Sequence, residues 1–413
     1  MNRSRIRLVY LLENLQRGGV QLGALLQAPL IDRSRYEVSA WVLRSSGNKT
    51  EEAHLAARFT EAGVALQRMD VRDFGDRRGI RALALALARE RVGVLNTKSF
   101  FANLVGRTAA RIAGTPGVVA NYHGAYEHRW KPKHIAREKQ LIASTDAFLC
   151  ITWEVADYLT RRLGLPTERV KIIPNGFDFE RFSRAPSREE CRRALNLPLD
   201  VPVISFVGRL TTLKDVPTFL ASAAPILREK PNAVFLITGD GEQRKNLENL
   251  TQELGLNSVR FLGARDDIPE ILRASDCLVL TSVSEGFGRV IVEAFASGTA
   301  VVATPTTGAL EMTRHEETGL IVPFRDPEAV AQAVLRTLRN PEETRRRTTS
   351  AFEEAKRYGL TRWVENTQRL FDEIAEKKSA VMNPPTLSPS LARFRQLHLE
   401  ASIRLSGLFG GSR

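Results

Sequence analysis

A chain of 413 residues with 43% hydrophobic and 26% charged side chains has ordinary globular composition and enough length for two or three domains. It has no apolar run of about 18 residues, the length a transmembrane helix needs, and its three cysteines (Cys150, Cys191 and Cys277) lack metal or redox spacing. The formal charge of +13 favours anionic partners, yet no nucleic-acid module is legible, so no nucleic-acid partner is expected.

The chain opens on Arg3 and Arg5 before an apolar run, Ile6 to Leu12. That run is too short for a signal peptide, ends at Glu13 and lacks a small-residue cleavage site. It reads as a first strand. Gly18-Gly19 makes a turn, and a helix follows over about Gln21–Leu30. Strands are expected at Glu37–Leu43, Val64–Met69, Val92–Thr97, Val118–Tyr122 and Asp146–Ile151. Helices are expected between them near Glu51–Ala62, Arg77–Arg89, Ala102–Ile112 and Lys133–Ser144. This alternation predicts a parallel, doubly wound sheet. Cys150 and Cys277 lie in apolar runs and read as small core residues in a cytosolic, reducing compartment.

A short strand at Lys171–Ile173 and the turn Pro174-Asn175-Gly176-Phe177-Asp178 end the first half. A polar stretch with Pro186, Arg188, Glu189, Glu190, Pro198 and Pro202 reads as the interdomain connection. Strands then recur at Val203–Val207, Ala233–Thr238, Val259–Leu262, Cys277–Thr281 and Ala300–Ala303. Helices near Pro327–Arg339, Glu342–Lys356 and Arg362–Lys377 close the globular part. Two similar α/β units predict a cleft between them, with ligands at the carboxyl ends of the strands. Arg209, Gly239-Asp240-Gly241 and Glu285 all follow strand ends, so one rim is expected to carry them.

The most informative stretch is Ser282 to Gly298. A buried strand, a turn Glu285-Gly286-Phe287-Gly288 and a helix over Val290–Ser297 put free backbone N–H groups where an anion binds. Glu285 and Glu293 stand in a Glu-x7-Glu spacing around Gly-Phe-Gly. Upstream, Gly208-Arg209-Leu210 is followed by Lys214-Asp215. With these residues the chain is similar to the retaining glycosyltransferases of family 4, group 1 type, over residues 5 to 378. The resemblance implies a GT-B fold: two Rossmann-like domains facing across a cleft, with the last helix crossing back to the first. The domains are expected at 1–185 (acceptor side) and 186–359 (nucleotide-sugar side), with the crossing helix at 360–378 and a basic, Pro-containing tail at 379–413.

The resemblance also implies roles. Arg209 and Lys214 bind the donor diphosphate, Glu293 the ribose hydroxyls, and Glu285 the donor sugar with Gly286, Phe287 and Gly288. His123, in Asn121-Tyr122-His123-Gly124, reaches the sugar, which puts it with Arg209, Lys214 and Glu285 at the reacting centre. Gly18, Gly19 and Gly239 line the donor site. Two departures stand out: Gln21 where the family has an acidic residue, and Arg289 where it has an uncharged one. Arg289 either adds a donor contact or points away. The glutamates do not read as a glycosidase pair. Metal is not expected, and Asp266-Asp267 reads as a helix N-cap pair. No cofactor is implied beyond the donor substrate.

Two basic stretches complete the reading. One is 127–139, with Glu127, His128, Arg129, Trp130, Lys131, Lys133, His134, Arg137 and Lys139. The other is 391–409, with Leu391, Phe394, Leu397, Ala401, Leu405 and Leu408 among arginines. The first reads as a solvated helix face and loop, or as a surface for an anionic membrane or a phosphorylated acceptor; the second reads as an interfacial helix, a helix docked on a partner, or a disordered segment. The function expected is hexosyl transfer from a nucleotide-diphosphate sugar to a glycan or lipid-linked saccharide, in surface-polysaccharide or glycolipid synthesis, at the inner membrane face. The alternative is a non-catalytic nucleotide- or glycan-binding partner on the same fold. A nicotinamide dehydrogenase ranks third, since neither half carries Gly-x-Gly-x-x-Gly.

Overall fold

The computed structural model describes residues 5–16, 18–124 and 129–378. Glu127, His128 and the tail at 379–413 lie outside them. The chain divides into two compact units, one containing residues up to Ile173 together with Trp363 onward, the other Pro174–Arg362. The leading segment of the first unit runs to Ile173, and the sequence places the domain boundary at 185.

The first unit is built on β1 (Ile6–Leu12), β2 (Tyr36–Val42), β3 (Ala65–Arg68), β4 (Val94–Lys98), β5 (Gly117–Tyr122), β6 (Ala147–Cys150) and β7 (Val170–Ile172). They form one parallel sheet in the order β3-β2-β1-β4-β5-β6-β7. Strands buried on both faces read as unbroken apolar runs, and β1 and β5 are largely or wholly buried. Helices cover both faces. Helix Arg77–Arg89 starts where Asp76 accepts from the Gly79 amide. Helix Phe100–Ala113 starts at Ser99, which accepts from the Ala102 amide, and ends at Gly114 in the left-handed conformation. A helix the sequence reading passed over, Trp153–Leu163, follows β6 between a Thr152 cap and a left-handed Gly164.

Helix Leu360–Lys377 packs on this first unit, although it follows the second in sequence. Gln27 donates to the Thr367 hydroxyl at 2.8 Å, the Tyr36 hydroxyl donates to Asp372 at 2.7 Å, and the Asp32 amide donates to Gln368 at 2.9 Å. Phe371 meets Tyr10 edge to face. Within the same unit, Arg107 and Glu138 form a fully buried ion pair, with Thr145 accepting from the Arg107 Nε at 2.8 Å.

The second unit repeats the plan with β8 (Val203–Val207), β9 (Val234–Thr238), β10 (Val259–Gly263), β11 (Cys277–Leu280), β12 (Ala300–Ala303) and β13 (Leu320–Ile321), ordered β10-β9-β8-β11-β12-β13. β13, only two residues long, had no legible run. Residues 186–202, expected as a connection, belong to this unit. They hold helix Arg188–Ala194, started by a Ser187–Glu190 capping box. Its Arg192 is buried, donates to the Ala274 carbonyl at 3.0 Å and pairs with Asp276 at 2.8 Å.

Candidate functional site

In the second unit the chain leaves β8 for β9 and β10 on one side, then returns to β11, β12 and β13 on the other. The strand order thus reverses between β8 and β11, and open α/β sheets bind ligands at the carboxyl ends beside such a reversal. Arg209 follows β8 there, and Glu285 follows β11.

The loops after β8 and β9 are held very close. The Leu210 amide donates to the Asp240 carbonyl at 2.9 Å. Gly239 has φ +133°, and a Cβ on it would lie 1.9 Å from the Gly208 carbonyl oxygen. Any other residue would force these loops apart.

Lys214 ends a 3-10 turn, Thr212–Lys214, which is tied to the end of β11. The Thr281 hydroxyl donates to the Asp215 carbonyl at 2.8 Å, and the Val283 amide donates to the Leu213 carbonyl at 2.9 Å. This places the Lys214 ammonium in direct contact with the Glu285 carboxylate, both side chains mostly buried. Burial, with the like charge of Arg209 second, pushes Lys214 down to about 8; the ion pair with Glu285 opposes that fall. Arg209 itself is exposed. The rim therefore presents one screened cation and one cation on a fixed turn, the two types suited to forked and point contacts with a diphosphate.

Between Glu285 and Gly288 the backbone packs against helix Thr307–Met312. The Gly308 amide donates to the Glu285 carbonyl at 3.1 Å, and a Cβ on Gly308 would lie 2.5 Å from the Gly288 nitrogen. Gly286 and Phe287 form the middle of this turn, and the Phe287 ring rests 5.9 Å from that of Tyr358. Helix Arg289–Ala296 begins at Gly288 with no side-chain cap and no acidic residue in its first turn. Two of its leading amides turn back on the loop itself: Arg289 donates to the Phe287 carbonyl and Ile291 to the Gly288 carbonyl, each at 2.7 Å.

Glu293 is 8% exposed, and the apolar company of Ile291, Val292, Ala294 and Phe295 demanded a partner for it. The partner is Arg289, one helical turn back, whose Nε donates to Glu293 at 2.7 Å. Arg289, expected either to add a donor contact or to point away, is tied to Glu293 on its own helix. Burial raises the Glu293 carboxyl, and Arg289 counters it.

On the first unit, Gly18 caps and Gly19 opens helix Gly19–Gln27, two residues earlier than expected. His123 follows β5. Burial, with the charge of Lys98 second, pushes its imidazole down to about 3, so it is neutral at pH 7. Lys98 itself went unnoticed in the sequence. It ends β4, is 2% exposed, and burial alone pushes it down to about 7. Trp153, the first residue of the unread helix, is 71% exposed at the end of β6. Two readings need correction. Trp130 is not a surface aromatic: it is buried and meets Phe100 edge to face at 4.8 Å. Asp267 stands at the N-cap position of helix Ile268–Ala274, yet its carboxylate pairs with Arg265 instead of capping.

Comparison with known proteins bears on this arrangement. Residues 187–354 match the family model described as glycosyl transferases group 1, and residues 17–181 match that of glycosyltransferase family 4. The UDP-Gal:alpha-D-GlcNAc-diphosphoundecaprenol alpha-1,3-galactosyltransferase of Escherichia coli is 29% identical over 329 residues, 77% of this chain and 84% of the relative. A D-inositol 3-phosphate glycosyltransferase of Saccharomonospora viridis is 34% identical over 59% of this chain; the match spans 58% of that relative. Among solved structures, Anabaena HepE in complex with UDP and glucose superposes with a TM-score of 0.78 at 21% identity, over 89% of this chain and all of HepE. The two family matches together span most of the sequence, and each falls on one half of it. The chain belongs to the group 1, family 4 glycosyltransferases and has their GT-B fold of two Rossmann-like domains.

Proposed function

We propose that this transferase moves a hexosyl group, with retention of anomeric configuration, from a UDP-sugar to a glycan or lipid-linked saccharide in surface-polysaccharide or glycolipid synthesis. The observation that carries this reading is the rim of the second unit. Lys214 and Arg209 stand beside Glu285 at the strand-order reversal, and Glu293 lies buried on the helix that starts there. The E. coli relative, whose name specifies a diphosphoundecaprenol acceptor and UDP-galactose, supports the donor and acceptor classes.

In this mechanism the two cations take the charge that grows on the leaving diphosphate, with no metal or other cofactor required. Glu293 accepts hydrogen bonds from the ribose hydroxyls through the oxygen that Arg289 leaves unused. Glu285, the Gly286-Phe287-Gly288 turn and Gly239 face the donor on the same unit. On the first unit, Gly18 and Gly19 open a helix and His123 is kept neutral. The acceptor proton passes to the leaving phosphate on the same face of the sugar. The test is proton NMR of the product of the purified protein and a UDP-hexose. The anomeric coupling of the product should match that of the donor; an inverted anomeric proton would end the retaining assignment.

Work at the inner membrane face, from the cytoplasm, is part of the proposal. Among the described residues no helix is long and apolar enough to cross a membrane. Exposed Lys131, Lys133 and Lys139 line one helix and its approach, and each cation near an anionic surface adds roughly 1 kcal/mol. Flotation with anionic liposomes is expected to be salt-sensitive and to weaken when these lysines become serine. Equal recovery on neutral and anionic vesicles would remove the membrane from the account.

A further inference from the structure

Lys98 has no part in the site of the second unit, and its surroundings are unusual. It lies 2% exposed at the carboxyl end of β4, paired in register with Leu12, the last residue of β1. That is where the strand order of the first sheet reverses, since β2 and β3 lie beyond β1 and β5 to β7 beyond β4. The ammonium sits 5.4 Å from the Tyr10 ring centroid and 5.8 Å from that of Trp363. Among the described residues no carboxylate reaches it. Glu13, the nearest acidic residue along β1, is committed to Arg44 and to the Ser99 hydroxyl.

Ring faces offset only part of the cost of burying a charge. The next residue, Ser99, is held at φ +106°, a conformation that non-glycine residues rarely adopt. Strain of that kind persists where surrounding structure holds it, often at ligand sites. His123, at the end of the neighbouring strand β5, is kept neutral, so it adds no charge.

We propose that Lys98 marks a phosphate-binding subsite at the carboxyl ends of β4 and β5, on the first unit. A phosphate oxygen would provide the counter-charge that the folded chain withholds. The subsite stands on this geometry; only the source of its phosphate, nucleotide or acceptor, rests on the transferase reading.

The test compares wild type with Lys98→Met and Lys98→Gln in calorimetric titrations. UDP is set against uridine, and then, with UDP saturating, glucose 1-phosphate against glucose. The subsite predicts that both variants bind one phosphorylated probe at least tenfold more weakly, with the affinity for its neutral analogue unchanged. Loss toward UDP assigns the phosphate to the nucleotide, and loss toward glucose 1-phosphate assigns it to the acceptor. The Met variant should melt at or above the wild-type temperature, because a buried unpaired charge has been removed. Wild-type affinity of both variants for both phosphorylated probes overturns the subsite. So does a lowered melting temperature with equal losses for charged and neutral probes. Failure of UDP to bind wild type contradicts the transferase reading instead, leaving the glucose 1-phosphate comparison to decide the subsite.

Discussion

Lys214→Ala is expected to lower turnover ~100-fold or more, the scale of losing one preorganised group that stabilises developing charge. The size follows from how the lysine is held. Its turn is fixed to the end of β11 through Thr281 and Val283, and its side chain is only 16% exposed. Little reorganisation is then needed when the diphosphate departs. The Glu285 pair keeps the ammonium in place before donor arrives. With its proton held down to about 8, Lys214 is charged at pH 7 and loses its charge as pH rises past that value. The rate should therefore decline on the alkaline side. Lys214→Arg, whose charge does not titrate in this range, should move that decline upward while retaining part of the rate. Unchanged steady-state kinetics in folded Lys214→Ala would remove the diphosphate role.

The second large effect is on stability. Glu138→Ala is expected to destabilise the first unit by ~3–5 kcal/mol, because it strands Arg107 as an uncompensated buried charge. Arg107 is fully buried, and its remaining partners, the Thr145 and Tyr122 hydroxyls, carry no formal charge. Urea unfolding followed by a probe in the first unit is the measurement, since two units need not unfold in one step. The double change Arg107→Met with Glu138→Leu removes both charges and should recover most of the loss. A single-variant loss under about 1 kcal/mol, the scale of an exposed pair, would show that the charge is solvated or neutralised elsewhere.

Much of the fold was legible because parallel strands covered on both faces leave continuous apolar runs. Val203–Val207 and Ala300–Ala303 were read to the residue. Helix Arg77–Arg89 was too, its start marked by Asp76. Helix Trp153–Leu163 had a cap and a closing glycine in the sequence and was nonetheless missed; with it went Trp153. The candidate site in the second unit was legible because Glu285 and Glu293 flank a glycine turn after a strand, a local pattern; the structure sets Glu285 against Lys214. What stayed hidden is tertiary. Lys98 reads as the polar end of a strand, and only the fold shows it walled by Tyr10 and Trp363, the latter 265 positions away. Arg107 and Glu138 are 31 positions apart. Trp130 lies among charges in sequence, and its placement against Phe100 depends on a strand and a helix elsewhere. The Arg289–Glu293 pair was within reach, since residues four apart share a helix face. Its meaning was missed by treating Arg289 as a departure from a pattern instead of as a neighbour.

The central claim is that the strand-order reversal in the second unit holds a nucleoside diphosphate. A crystal structure with UDP tests it most directly. The account predicts the diphosphate against Arg209 and Lys214, the Lys214–Glu285 contact opened or shared, and the ribose hydroxyls on Glu293, with Arg289 still on its other oxygen. UDP bound away from Lys214 and Glu293, with both ion pairs intact, would contradict it.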